Sequence, residues 1–230
     1  MSTPCLAQTD LPFLKTMVDL RIRELQEVDV ISHYDLLITE NNDPVHDPKP
    51  LQEYMDKWDG QDFIEQMELD KSKSVLEIGV GTGRLAVSVV PLCGEFCGID
   101  ILPKTLERAR ENLADFANIE LICGGFLTYK FDHSFDVVYS SLTFIHIYDK
   151  QEAINKIATL FNDTGRFVLS IDKNQSDFID TDTRKVRIYP DTAEKTAKYL
   201  KNAGLTIISQ FDTEFASVFV TQKGKSICYE

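Results

Sequence analysis

Two hydrophobic rhythms alternate along this chain from residue 72 onward. Short apolar runs, the length of buried strands, give way to stretches in which apolar side chains return every three or four residues, the period of a helix lying on a sheet. The runs fall at Ser74–Ile78, Phe96–Ile101, Ile119–Cys123, Phe135–Tyr139 and Arg166–Ile171. Helices are expected to start near Gly83, Pro103 and Asp149, and a late helix spans Thr192–Asn202 on the Ala193, Ala197, Leu200 spacing. Leu205–Ser209 and Ala216–Val220 flank Phe211-Asp212-Thr213-Glu214 and read as a C-terminal antiparallel hairpin. The alternation predicts an α/β fold, a seven-stranded mixed sheet with helices on both faces.

The first 70 residues follow another pattern. Leu14, Met17, Val18, Ile22, Leu25 and Val28 fit one face of a helix over residues 11–31. A turn-rich stretch, Asn41 to Pro48, follows. Asp47-Pro48 then reads as an N-cap and first position of a helix through Tyr54 and Met55, and Asp59 as the cap of a short helix carrying Phe63, Ile64 and Met67. The chain is accordingly expected to divide into an N-terminal helical cap, residues 1–70, and a sheet domain, residues 71–230, with Asn41–Pro48 as the hinge. Further on, Asn174–Asp182 is polar and reads as a loop, while Val186 and Ile188 alternate with Arg187 and Tyr189 as a short extra strand.

The strongest local signal is Val75-Leu76-Glu77-Ile78-Gly79-Val80-Gly81-Thr82-Gly83-Arg84. A buried strand runs into three glycines at alternate positions and then into a helix. Glycine permits backbone angles closed to other residues and lets a ligand lie against the main chain, while the helix start offers unpaired N–H groups. Asp100 ends the next strand, where a carboxylate can accept both hydroxyl hydrogens of a ribose. Gly81-x-Gly83-x-x-Ala86 also satisfies a relaxed dinucleotide fingerprint, so a nicotinamide-dependent oxidoreductase is the first rival. A non-catalytic cofactor-binding protein is the second.

The string E-x-G-x-G-x-G from Glu77, followed by an acidic strand end, resembles the class I S-adenosylmethionine-dependent methyltransferases, small-molecule members most of all. The resemblance covers about Ser72 to Lys223. It implies a Rossmann-like sheet closed by an antiparallel hairpin, where a dehydrogenase half continues with parallel strands. It also implies S-adenosylmethionine as cofactor, with Glu77, Gly79, Gly81 and Gly83 on its methionine and ribose side, Asp100 on the ribose and Ile101 against adenine. After the third strand the family usually places an acidic acceptor for the adenine amino group; here Gly124-Gly125-Phe126 stands instead. That departure transfers adenine recognition to Gly125, Phe126 and backbone groups. In the family the end of the fourth strand faces the sulfonium, which brings Ser140 to the cofactor. The N-terminal segment folds over it, which brings Tyr34.

Around the transferred methyl, Ser140-Ser141-Leu142-Thr143 lacks the acidic or Asn residue with Pro-Pro-aromatic that amino-methylating DNA enzymes carry. A base is needed only if the acceptor must lose a proton, and His146 is the best-placed candidate. Helix-start packing is its structural alternative. His46 and His133 read as solvated turn residues. Tyr34 serves equally well as pocket wall or core, Trp58 better as core, and Asp172-Lys173 as solvated charges after a strand.

Composition narrows the partners. The 230 residues carry a formal charge of −13, which repels a phosphate backbone, and no lysine cluster interleaves with aromatics, so a nucleic-acid substrate is disfavoured. The five cysteines, at 5, 93, 97, 123 and 228, lack the spacing of a zinc site and read as reduced thiols, so no metal is expected. No signal peptide or membrane span is visible, and a cytoplasmic protein is expected. The sequence leaves the acceptor and the oligomeric state open.

Overall fold

A computed structural model describes residues 25–223 apart from residue 182 and the side chain of residue 163. Seven strands form the main sheet: β2 (Ser74–Ile78), β3 (Glu95–Asp100), β4 (Ile119–Cys123), β5 (Phe135–Ser141), β6 (Phe161–Asp172), β9 (Leu205–Asp212) and β10 (Ala216–Lys223). Their order is β4-β3-β2-β5-β6-β10-β9, with parallel pairing from β4 to β6 and β10 antiparallel to both β6 and β9. The chain winds outward from β2 through β3 to β4, then resumes on the other side of β2 at β5. The carboxyl ends of β2 and β5 therefore border a crevice, the place where open α/β sheets bind ligands.

Alternation along the central strands sorts side chains onto two faces. Leu76, Ile78, Cys97, Ile99 and Val138 pack on one face, with α6 (Lys150–Thr159) and α7 (Ala193–Asn202) covering them through Ala153, Ile154, Ile157 and Leu200. Val75, Phe96, Val137, Tyr139 and Val168 face the other way, under α3 (Gly60–Glu65), α4 (Ala86–Val89) and α5 (Pro103–Asn112), which contribute Phe63, Ile64, Ala86, Val89 and Leu106. The strands fall on the apolar runs, with β3 one residue earlier than expected and β5, β6, β9 and β10 extending beyond their runs. Asp149 and Thr192 cap α6 and α7 through bonds from Glu152 N–H and Lys195 N–H.

The N-terminal segment departs from expectation. Most of the helix expected over residues 11–31 lies outside the described residues, but its far end, Gln26–Val28, is strand β1. A second, three-stranded sheet of order β1-β8-β7 explains the change: Val28 pairs in parallel with Val186 of β8 (Arg184–Arg187). Its third strand, β7 (Phe178–Asp180), lies within the stretch expected to be a loop. Helix α1 (Val30–Thr39) starts at Asp29, whose carboxylate accepts from Ser32 N–H at 2.9 Å. The helix at Asp47-Pro48 is α2 (Lys49–Met55), entered one residue later than expected and without a side-chain cap. Among the described residues no helix is long and apolar enough to cross a membrane. Cys93 and Cys97 are buried and Cys123 is exposed, while Cys5 and Cys228 lie outside the described residues.

Candidate functional site

The glycine loop leaves β2 at the crevice. Gly79, Gly81 and Gly83 have φ of 77°, 57° and 96°, in the left-handed region that side chains resist. Two of them serve different ends. A Cβ on Gly79 would lie 2.0 Å from the Thr143 hydroxyl, so its missing side chain lets the turn after β5 close onto the loop. A Cβ on Gly81 would meet nothing within 4 Å. The backbone at Gly81 is thus open to a ligand.

Asp100 joins this loop from β3. Its Oδ2 accepts from Gly81 N–H at 2.9 Å and its Oδ1 from Leu102 N–H at 3.0 Å. Each carboxylate oxygen has a further lone pair for a ligand hydroxyl. Burial raises the Asp100 carboxyl, against the lowering effect of the backbone bonds from Gly81, Leu102 and Ile101. Ile101, next in sequence, is 52% exposed, an apolar face turned to solvent beside a buried carboxylate. Gly125 begins the turn after β4, where its carbonyl accepts from Thr128 and Tyr129 N–H.

Glu77 lies beneath the loop, buried, with Tyr139 donating its hydroxyl to Oε2 at 2.7 Å. Burial pushes the Glu77 carboxyl up to about 8, against the Tyr139 hydrogen bond and the Arg84 charge. Arg84 follows Gly83 and forms a bidentate pair with Asp59, Nη1 to Oδ1 at 3.0 Å and Nη2 to Oδ2. Ser141 at the end of β5 donates to the same Oδ2 at 2.6 Å. The next residue, Leu142, has φ of 59°, a costly angle for a branched side chain, immediately before the Thr143 that meets Gly79.

Helix α1 crosses above. The Tyr34 hydroxyl and His146 Nε2 are 2.9 Å apart, and the rings meet edge-on with centroids 5.5 Å apart. Burial, and secondarily the charge of Asp100, drives the Tyr34 phenol up to about 12. Burial, with the His33 and Lys150 charges, lowers His146 to about 4, so its imidazole is neutral at pH 7. Its Nδ1 is buried without a hydrogen-bond partner. Beside Tyr34, His33 Nδ1 accepts from Arg184 Nε at 2.9 Å, and Arg184 also grips both oxygens of Glu40 at 2.8 and 3.0 Å.

Two expected residues face elsewhere. Phe126 is buried in the core, its ring 6.2 Å from that of Phe131 and with Lys156 Nζ 5.1 Å over it. Lys156 fixes this arrangement by donating to the carbonyls of Phe126, Leu127 and Tyr129. Ser140 is fully buried, and its hydroxyl donates to Ile78 carbonyl at 2.9 Å, bracing β5 against β2 rather than meeting a ligand. Trp58 packs, as expected, 4.7 Å from Phe215 by centroids, and its Nε1 donates to Asp172 Oδ2 at 2.9 Å. His46 and His133 are exposed, bonded to Asn112 and Asp132.

Sequence reasoning placed Asp59 only as a helix cap and gave Arg84 and Asp43 no role. Their carboxylate and guanidinium contacts join distant segments, and no local pattern announces them.

A family model described as a methyltransferase domain matches residues 69–223. An uncharacterized methyltransferase of Anoxybacillus flavithermus is 32% identical over 123 residues, 52% of this chain and 57% of that protein. The chain spans about half the length of the curated relatives it matches. Among solved structures, an S-adenosylmethionine-dependent methyltransferase from Aquifex aeolicus superposes with a TM-score of 0.63 at 15% identity, covering 79% of this chain and 98% of that one. The N-methyltransferase NodS of Bradyrhizobium japonicum, in complex with S-adenosylhomocysteine, gives 0.62 at 17% identity, over 83% and 97%. These structural likenesses are likenesses of fold.

Proposed function

The chain belongs to the methyltransferase-domain family, in the S-adenosylmethionine-dependent class with a Rossmann-like sheet, and we propose that it transfers the methyl group of S-adenosylmethionine to a small-molecule acceptor, at N, O, S or C. The observation that carries this reading is the open backbone at Gly81 facing the Asp100 carboxylate at the β2–β5 crevice. Glycines 79, 81 and 83 would take the methionine and ribose portion, Asp100 the ribose hydroxyls, and exposed Ile101 the adenine face. Gly125 lines the adenine end through its backbone. The cofactor supplies a methyl already activated by a positively charged sulfur. Protein groups then have three tasks: to hold acceptor and methyl in line, to exclude water, and to take a proton where the acceptor must lose one.

His146 suits the last task in its neutral state, the form in which a ring nitrogen can accept a proton. The Tyr34 hydroxyl orients the ring through Nε2 and places α1 as a roof over the site. Nδ1 is buried without a partner, and it can take a proton in the tautomer in which Nε2–H donates to the Tyr34 oxygen. The acidic balance of the chain disfavours nucleic acid as acceptor. Antiparallel β10 separates the fold from a dehydrogenase half, which continues with parallel strands.

Isothermal titration tests the cofactor first. S-adenosylhomocysteine should bind and NAD should give no measurable heat. Asp100→Ala should weaken binding by about 1.5–3 kcal/mol, the range for losing a hydrogen bond to a charged group, with an unchanged far-UV circular dichroism spectrum. Equal affinity in mutant and parent removes Asp100 from the ribose. Release of S-adenosylhomocysteine across a panel of amine, hydroxyl, thiol and carbon acceptors then tests the transfer. Binding without release throughout would favour a non-catalytic cofactor-binding protein.

A further inference from the structure

The N-terminal segment does more than cover the site. We propose that two of its carboxylates, Asp43 and Asp59, are positioning residues that clamp the glycine loop from both sides, so that the cofactor site is a joint product of residues 25–70 and the sheet. The inference rests on the reading of this loop as the cofactor site. It concerns residues outside the stretch that matches the family model, which begins at residue 69.

Asp43 holds one flank. Its side chain is buried, and it accepts from Asn112 Nδ2 at 3.3 and 3.1 Å, Arg108 Nη1 at 3.3 Å and Val45 N–H at 3.2 Å. Asn112 Nδ2 also donates to the Thr82 carbonyl at 2.9 Å, so the turn at Asp43 is tied through Asn112 to the middle of the loop. Burial alone would raise the Asp43 carboxyl; hydrogen bonds from Asn112, Thr82 and Val45, with Arg108, bring it below its ordinary value. Asp59 holds the other flank. Its side chain has no exposed surface, and it receives Gly60 N–H at 2.7 Å, both ends of the Arg84 guanidinium, and the Ser141 hydroxyl at 2.6 Å.

Thr82 and Arg84 are the two residues on either side of Gly83. Two buried carboxylates from one segment thus converge on neighbours of a single glycine. Burying a carboxylate is unfavourable unless hydrogen bonds and an opposite charge compensate it; for Asp59 that charge is Arg84, in the loop itself, and for Asp43 it is Arg108, while its other partner Asn112 bonds directly to the loop at Thr82. The loop needs such support. It holds three left-handed residues within five positions, and the helix that follows, α4, is only four residues long, too short to anchor it by its own hydrogen-bond ladder. Through Ser141 the same Asp59 carboxylate also fixes the end of β5, so the methionine side and the acceptor side of the crevice share one anchor.

The test uses the 230-residue chain, three variants and two readouts. Asp43→Asn keeps the shape of one clamp and removes its charge. Asp59→Asn combined with Arg84→Gln removes the other without leaving a buried guanidinium unpaired. Glu214→Gln is the control: it breaks the 2.9 Å ion pair of Lys57, another contact between the segment and the sheet domain, away from the loop. Amide hydrogen exchange without ligand should quicken at residues 79–84 in both clamp variants and stay at parent rates in β9 and β10. Affinity for S-adenosylhomocysteine should fall by about tenfold or more in both clamp variants and change by less than about twofold in the control. Either unchanged exchange at residues 79–84 in the folded clamp variants, or an equal loss of affinity in Glu214→Gln, overturns the proposal. Should the parent chain bind no S-adenosylhomocysteine, the cofactor reading fails, and the exchange measurement still decides whether the clamp exists.

Discussion

Glu77 shows how one residue carries both a legible and a hidden property. Its place two residues before Gly79 is visible in the string E-x-G-x-G-x-G, but its protonation is a consequence of burial. Its ordinary value is 4.5 and its value in the fold about 8. Between these the folded chain keeps a proton that the unfolded chain has released. Stability from this group is therefore full below pH ~4.5 and declines as pH rises, by up to about 1.4 kcal/mol per unit, until the decline ends near pH 8. His146 acts in the opposite sense: its depressed value adds stability above its ordinary 6.5 that is lost as pH falls toward 4. Comparing variant with parent isolates the Glu77 contribution. Glu77→Gln retains an oxygen for the Tyr139 hydroxyl, and its melting temperature should gain on that of the parent from pH 5 to pH 8. A constant difference across that range would show that Glu77 is ionised throughout.

The glycine loop and the turn after β5 form a unit at the scale of elements. The three glycines announce a ligand loop in the sequence, yet what opposes them is spelled only in tertiary contacts. Thr143 occupies the space a side chain at Gly79 would need, whereas Gly81 faces open space. The two positions should therefore respond differently to substitution. Gly81→Val meets no protein atom at its Cβ and carries only the cost of a positive φ, so the variant should fold, with a reduced melting temperature, and lose binding of S-adenosylhomocysteine. Normal binding by the folded valine variant would remove the loop from the cofactor site. Among the helices, α7 was legible from its apolar spacing and α6 from its start near Asp149. The start of α1 was not, because Val28 continues a helical spacing but its backbone pairs with β8.

For the whole molecule, the question is whether residues 25–70 move as a lid. Apolar burial alone holds α1 weakly: His33 is its one buried residue, and Ile31 and Leu36 are 46% and 41% exposed. Polar contacts hold it instead, through Lys104–Asp35 at 2.9 Å, Arg184–Glu40 and the β1–β8 pairing. The turn expected to act as a hinge is itself fastened by Asp43 and by His46 to Asn112 at 2.9 Å. Limited proteolysis should therefore cut slowly between Asn41 and Lys49, with or without S-adenosylhomocysteine. Rapid cleavage that ligand suppresses would restore the lid. On this footing the division at residue 70 is one of pattern along the chain, and we propose that residues 25–70 and the sheet fold as one unit.

The sequence by itself determined whatever depends on neighbours along the chain. Apolar periodicity placed the strands of the main sheet and α7, a polar cap at Asp59 placed α3, and the spacing of Gly79, Gly81, Gly83 and Asp100 placed the ligand loop, because a strand, a cap and a left-handed turn each need particular residues at particular local positions. Only the tertiary structure decided how side chains from separate elements meet. It turned Phe126 into the core under Lys156, committed Ser140 to the Ile78 carbonyl, set Tyr34 against His146, and drove Asp43 and Asp59 into the flanks of the glycine loop. A hydrogen bond between residues 112 apart, as Tyr34 and His146 are, leaves no periodicity to read. Its partners are chosen by the packing of whole elements, and a polar side chain looks the same in sequence whether water or a buried guanidinium awaits it.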